Sequence, residues 1–505
     1  MEIRSTPSRG ADNLRWSSQF LGFVLLGVPL SYLLFPVFER YGLLAAAFII
    51  VAVPFGILIG IFALPHLLRG VLSTVKQFTW WHWLLLLLFL SNQTFRVRSY
   101  QQAQAEPLDA WGALRIIPEV VVAIVLGLRV TSHKTSFRQL LTGLPGALTL
   151  FSLIGIASSS WSVYPAWTLY KSMEYLLDVT LLVAILDAEH TAEDYVRVIN
   201  WILTVYALET LVAWFGTVLW PAEAWDAMGR LTCLHPSIAS NSIGTTGAAL
   251  ALVAISRLLS VDGRTSDRIW YAALLIFAIA SMIAAVTRNA IGGFLFALPL
   301  VLILAGRKWI AVALATVATP LLLLTSAGDL IWNYLRRQES TELIATATGR
   351  TSMWTVAWQE LVQHPLTGLG AFAGGKFGVL AKLHQGDVTF LHSDWAEIAV
   401  GTSFWGIIAF LAAVLGTWWF LFRYVRNPWF SLFERQLAIE SIGLIALLTV
   451  HSFFNNDLSY HPPLMFLAVV GYAELMRRNA LQEQHKRTRD LAYACNTSRW
   501  GPSYS

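Results

Sequence analysis

The sequence predicts an all-α, polytopic integral membrane protein of about 12–14 transmembrane helices, interrupted by one long polar loop that contains short helices. Three observations predict it. Of the 505 residues, 56% are hydrophobic and 13% charged, roughly half the charged share of a soluble domain. Apolar runs approaching the ~20 residues of a spanning helix recur along the chain. The stretch Ser326–Glu397 alone concentrates polar chemistry, including Arg336, Arg337, Arg350, His364, His384, His392, Asp394 and Glu397.

The apolar runs lie near residues 18–37, 42–64, 78–92, 110–129, 139–158, 166–186, 199–220, 237–256, 269–287, 290–305, 309–326, 398–422, 436–451 and 462–476. They divide the chain into a cytoplasmic N-terminal tail (1–17), transmembrane helices 1–11 (18–326), an external loop with an active-site helix (327–391), helices 12–14 (392–476) and a basic cytoplasmic tail (477–505). The first run is longer than a signal-peptide core and no small-x-small cleavage site follows it, so it reads as an uncleaved span. The 22 Trp suit interfacial belts. The net charge of +5 forms no basic stripe interleaved with aromatics, which excludes a nucleic-acid surface. Cys233 and Cys495 fall on opposite sides of the membrane, so no disulfide is expected.

Placing the N-terminus in the cytoplasm puts most of the 35 Lys and Arg in inner loops and the C-terminal tail, as the positive-inside rule requires. The chemically unusual segments then all face outward: 158–167, 220–241, the turn Thr287–Ala290, the long loop, and 451–461.

Ionisable groups also occur within spans. Arg115 and Glu119 are four apart, and Lys171, Glu174 and Asp178 share one helical face. Such groups face a bundle interior or a wet cavity. Arg115 and Lys171 each sit about five residues inside the outer end of their span, ~8 Å deep, where they can receive a lipid phosphate or pair internally with Glu119 and Glu174.

Arg288 interrupts a long apolar stretch at a tight outer turn. It is either a snorkelling turn residue or a phosphate ligand, because a guanidinium binds phosphate oxygens in bidentate fashion and stays charged. Arg350 opens a helix with Thr348 or Thr351 as N-cap and a stop at His364-Pro365. Met353, Trp354, Ala357 and Leu361 make one apolar face, which is expected to lie on the membrane. A helix N-terminus attracts anions, and Arg350 strengthens that preference. His392 can hydrogen-bond a sugar hydroxyl and take its proton, with Asp394 or Glu397 orienting it or assisting the acceptor. The outward histidines have no tight metal-binding spacing, so neither a metal nor a cofactor is expected.

On these residues the chain resembles the O-antigen ligase and O-antigen polymerase superfamily of bacterial membrane glycosyltransferases. Trp161-Ser162 with Pro165, Arg230 with His235-Pro236 and Asn241, Thr287-Arg288, Thr348-Gly349-Arg350 with Trp354, Pro365 with Gly368 and Gly370, and His392 follow the family's order. Two positions depart from it: Ser393 replaces the usual Asn, and Gly401 stands where a Glu is usual. The paired Arg-x10-Gly motif of some polymerases is not found.

The resemblance implies transfer of a glycan from an undecaprenyl-diphosphate carrier, on the periplasmic face of the inner membrane, to a glycan or lipid A-core acceptor, in company with other polysaccharide-assembly proteins. Arg288 and Arg350 are expected to bind the diphosphate, Arg230 to assist, and His392 to position or deprotonate the acceptor. His235, Arg115, Lys171, Asp394 and Glu397 are further substrate-binding candidates. Polymerase and ligase stay equally open. A second reading is a lipid-linked-sugar flippase or polysaccharide transporter, but transporters place their sites near the midplane between repeated halves. The unusual residues here gather at one face.

Overall fold

The computed structural model describes residues 78–93, 110–132, 134–233, 236–260, 265–314, 350–383, 390–427 and 430–498, with Thr316, Tyr334 and Arg336. Regular secondary structure among them is helical. The helices are α1 (Trp80–Asn92), α2 (Ala110–Thr131), α3 (Gly143–Ser158), α4 (Pro165–Leu186), α5 (Ala192–Leu219), α6 (Ser240–Leu259), α7 (Thr265–Ala285), α8 (Arg288–Leu304), α9 (Arg350–Gln363), α10 (Asp394–Val425), α11 (Leu432–Ser452) and α12 (Leu464–Ser498). Two isolated β-bridges, Trp225–Leu231 and Cys233–Ile238, shape the loop after α5. The expected spans at 18–37 and 42–64, and most of 309–326, lie outside the described residues. Each of the other expected spans is a helix.

Helices α5, α6, α7 and α10 are long and apolar enough to cross a membrane, and α3 and α8 are shorter apolar helices. The chain is therefore an all-α, polytopic membrane protein. Local signals set several ends. Pro165 occupies the first turn of α4, where its missing N–H costs nothing, and α9 stops two residues before Pro365. No Gly or Pro lies between Gly471 and Gly501, so α12 runs on from the last span through most of the basic segment expected as a tail.

The chain folds as two compact units. The first comprises residues 1–122, 201–349 and 446–454. Its centre is the close approach of α6 to α7: a Cβ on Gly247 would lie 2.7 Å from the Ala278 carbonyl oxygen and 2.9 Å from the Met282 nitrogen. Small residues that let helix backbones meet are the usual glue between membrane helices. Trp214 donates from its indole to Ser281 Oγ at 2.9 Å, and Thr245 and His451 are hydrogen-bonded at 3.0 Å. Cys233 is buried and forms no disulfide among the described residues.

The second unit comprises residues 123–200, 350–445 and 455–505. Phe151 of α3 meets Tyr175 of α4 and Phe410 of α10, and Phe410 meets Phe466 of α12. At one end of this bundle Glu474 accepts from the Leu144 backbone N–H and from Arg477 and Arg478. The apolar face of α9 corrects an expectation. Met353, Ala357 and Leu361 are buried, and Met353 and Ala357 join a cluster with Val379, Leu380, Leu391 and Val400. That face packs on the protein's own loop, because the segment after Gly368 folds back beneath it.

Candidate functional site

In the second unit, three segments distant in sequence are tied together around the start of α10. The first is Ser158–Thr168. Trp161 Nε1 donates to the Thr367 carbonyl at 2.9 Å, Val163 N–H donates to Leu369 at 2.9 Å, and Ser158 Oγ accepts from Ala371 N–H at 3.0 Å. Leu369 and Gly370 N–H donate in turn to the carbonyls of Val400 and Gly401 on α10, near its kink at Ser403. This contact explains the glycines of the Pro-x-x-Gly-x-Gly run. Gly368 and Gly370 have φ of +64° and +101°, and a Cβ would strike Gly401 backbone or Ser162 respectively. It also explains the departure at Gly401, where a Cβ would lie 3.0 Å from Ala371 Cα.

The second segment is the π-helix Gly374–Val379, which carries Lys376. Lys376 Nζ lies 4.4 Å from the centroid of the Trp167 ring, and Lys171 Nζ lies 5.4 Å from the same ring. Both lysines are about 8% exposed. Lys171 also pairs with Glu174 at 2.5 Å, the internal pairing that its spacing allowed.

The third is the chain on either side of His392. Asp394 Oδ2 accepts from Asp457 and Leu458 N–H, both at 3.0 Å, and Oδ1 accepts from Ser459 N–H at 2.9 Å. Glu397 Oε1 accepts from Leu391 N–H at 2.6 Å. The two carboxylates expected to orient the histidine instead bond backbone donors and hold the loops beside it. Ser393 caps α10 by accepting from Ala396 N–H, a role that a Ser fills as well as an Asn. Further along, Tyr175 donates to the Leu458 carbonyl at 3.0 Å, and His461 Nδ1 lies 2.7 Å from Asp178.

His392 is thus fixed on both sides, and its backbone takes φ +52°, a conformation that costs a non-glycine residue of order 1–3 kcal/mol. Its ring meets Phe390 edge-on at 4.7 Å. Nδ1 is buried, and no group among the described residues bonds it. Burial, and then the charge of Arg350 at the start of α9, push its pKa down to about 4. The imidazole is therefore neutral at physiological pH.

The remaining candidates belong to the first unit. Arg230 pairs with Asp226 at 2.6 Å, and the same carboxylate accepts from the Met228 and Arg230 backbones. Leu231 N–H donates to Ala284 at the end of α7, which brings Arg230 beside the turn into Arg288. That turn is fixed by Thr287, whose hydroxyl donates toward the carbonyls of Ser240 and Ala285, both at 3.1 Å. Arg288, half-buried, is the first residue of α8. Arg115 Nε donates to the Ser91 carbonyl at 2.6 Å. His235 and His384 lie outside the described residues. Sequence reasoning missed Lys376, whose position in a glycine-rich run gave no helical signal, and the anchoring role of Asp394.

No curated protein matches the chain. Residues 272–411 match the family model described as O-Antigen ligase, a span that holds Arg288, Arg350, Lys376, His392, Asp394 and Glu397. Over this region the chain is similar to the O-antigen ligase family.

Proposed function

We propose that the protein transfers or polymerises a glycan carried on undecaprenyl diphosphate, at the periplasmic face of the inner membrane, without a metal. The observation that carries this reading is His392: a neutral imidazole, strained in its backbone, its buried Nδ1 bonded by no group among the described residues, with Arg350 close enough to depress its pKa.

The acceptor hydroxyl oxygen attacks the anomeric carbon of the donor sugar. The bond from that carbon to the diphosphate oxygen breaks, its electron pair leaves on the diphosphate, and the hydroxyl proton passes to His392. Attack opposite the leaving group inverts the anomeric centre. Arg350 at the N-terminus of α9 holds the developing charge, as preorganised cations do in such reactions, and Lys376 adds positive charge beside Trp167. Arg288, with Arg230 beside it, is proposed as a diphosphate ligand on the strength of the family likeness.

The test is transfer from a purified lipid-diphosphate-linked glycan by the full-length protein in nanodiscs. His392→Ala and Arg350→Ala are expected to abolish product while membrane abundance and thermal unfolding stay near wild type. Full transfer by either folded variant removes that residue from the mechanism. Gene deletion then separates the two acceptors. Loss of long chains on lipid A with lipid-linked polymer accumulating means ligase, and single repeats on core, or loss of free exopolysaccharide, means polymerase.

A further inference from the structure

Behind the reacting end, the second unit carries a groove of about 670 Å³ lined by Trp161, Glu360, His364, Phe377 and Lys382 among others. We propose that this groove is a carbohydrate subsite, holding uncharged sugars of the glycan chain that lie remote from the bond being made. The proposal rests on the glycan-transfer reading above and extends it to a place in the fold that the reaction itself does not use.

Its aromatic walls are held in position. Trp161 is 46% exposed, yet its indole N–H is spent on the Thr367 carbonyl at 2.9 Å. Phe377 is propped by Tyr164, stacked at 4.6 Å between centroids with 20° between planes. An aromatic face fixed before binding gives contact area with little entropy to lose.

The polar groups decide what fits. Glu360 is 5% exposed and forms an ion pair with Lys382, and His364 lies one helical turn beyond Glu360. A polyprenyl or acyl chain would cover these groups without bonding them, which is costly for charged side chains. A phosphate would meet the Glu360 carboxylate. A sugar offers one C–H face to the aromatic rings and a rim of hydroxyls that both donate to a carboxylate and accept from an ammonium. Gly378 lets the floor lie close, since a Cβ there would be 2.7 Å from Leu369 Cδ1.

The position suits a chain rather than a single sugar. Glu360 lies ten residues after Arg350 on α9, about 15 Å along the axis at 1.5 Å per residue. A ligand in the groove therefore sits well away from Arg350, where a polymeric substrate still has sugars and a monosaccharide does not.

The experiment uses the full-length protein in detergent, with an oligosaccharide released from the producing cell's own surface glycan as one probe and undecaprenyl phosphate, which carries no sugar, as the other. Binding is read by saturation-transfer NMR and tryptophan fluorescence. Trp161→Ala is expected to weaken the oligosaccharide about fivefold to tenfold, the range of one lost aromatic contact, without changing undecaprenyl phosphate binding. Because Trp161 also braces Thr367, the exposed Lys382→Ala serves as a second variant and is expected to weaken the oligosaccharide by a smaller factor. Unchanged oligosaccharide affinity in a folded Lys382→Ala protein together with a folded Trp161→Ala protein overturns the subsite, as does unchanged affinity in Lys382→Ala alone should Trp161→Ala unfold. Loss of undecaprenyl phosphate binding in place of oligosaccharide binding makes the groove a lipid site and overturns it equally. Arg350→Ala separates the two proposals: it should still bind the oligosaccharide while failing to transfer glycan from the lipid-diphosphate-linked donor, and transfer from that donor by Arg350→Ala counts against the mechanism and not against the groove.

Discussion

Ser459 donates twice to Asp394: its backbone N–H reaches Oδ1 at 2.9 Å and its hydroxyl reaches the same oxygen at 2.5 Å. With Asp457 and Leu458 N–H on the other oxygen, one fully buried carboxylate satisfies three consecutive backbone donors. Asp394→Ala strands those donors in the interior, at about 1–3 kcal/mol each. A large drop in thermal unfolding temperature in detergent is expected, with Asp394→Asn intermediate because it keeps one acceptor oxygen. A wild-type unfolding temperature for Asp394→Ala would show that the residue does not anchor this loop and return it to the list of substrate groups.

The pKa of His392, pushed down to about 4 by burial and the Arg350 charge, fixes a pH dependence. An unfolded histidine takes its proton near 6.5, so between about 4 and 6.5 the unfolded chain binds more protons than the folded one. Stability from this group is present above 6.5 and falls as the pH drops toward 4. In the proposed role of proton acceptor, His392 would stay in its base form down to nearly pH 4. Transfer rates are expected to show no inflection near 6.5 from His392. Arg350→Gln removes one cause of the depression, so the midpoint read by imidazole NMR should move upward. A wild-type midpoint near 6.5 would contradict the buried environment from which the mechanism is argued.

Gly370 joins backbone geometry to the Trp161-Ser162 motif. Its φ of +101° excludes an L side chain at low cost, and the space that a Cβ needs is occupied by Ser162. Gly370→Ala is expected to lower the yield of folded protein in membranes, with strain of order 1–3 kcal/mol. Adding Ser162→Gly removes the side-chain collision but leaves the Ser162 Cα at 2.9 Å and the dihedral unchanged, so rescue should be partial. Full rescue would mean that crowding alone, and not the left-handed backbone, demands the glycine.

The helices were legible because membrane solvent imposes a strong, local pattern: long apolar runs with charges at their ends. The end of α9 before Pro365 was legible for the same reason, since proline acts over a few residues; of the two expected N-caps, Thr351 lies inside the helix and Thr348 outside the described residues. The Arg288 turn was equally visible as a lone charge between two apolar runs. What the sequence hid depends on contacts between distant residues. Asp178 and His461 meet across 283 positions, and no local pattern announces it. The apolar face of α9 was visible, but whether lipid or protein would cover it was not, because both solvents ask for the same side chains. Asp394 looked like a helper of His392 because it is two residues away, whereas the extended chain between them turns the carboxylate toward residues 457–459.

Lys376 is the sharpest test of the cationic site, because nothing in its own neighbourhood of glycines pointed to it. Its ammonium lies over Trp167, the ring that Lys171 also approaches, and it is carried on a π-helix, an irregularity frequent at functional sites. Trp167 is half-buried and Lys171 pairs with Glu174; the further positive charge of Lys376 beside the ring favours a diphosphate. Lys376→Met keeps the length and apolar stem while removing the charge. Transfer at saturating donor is expected to fall about tenfold to a hundredfold, the range for one hydrogen bond to a charged group, with unfolding temperature held or raised. Lys376→Arg should retain part of the rate, since it keeps the charge but not the compact ammonium. Wild-type turnover in a folded Lys376→Met protein would make the lysine a packing element of the π-helix and leave the charge on the leaving group to the arginines.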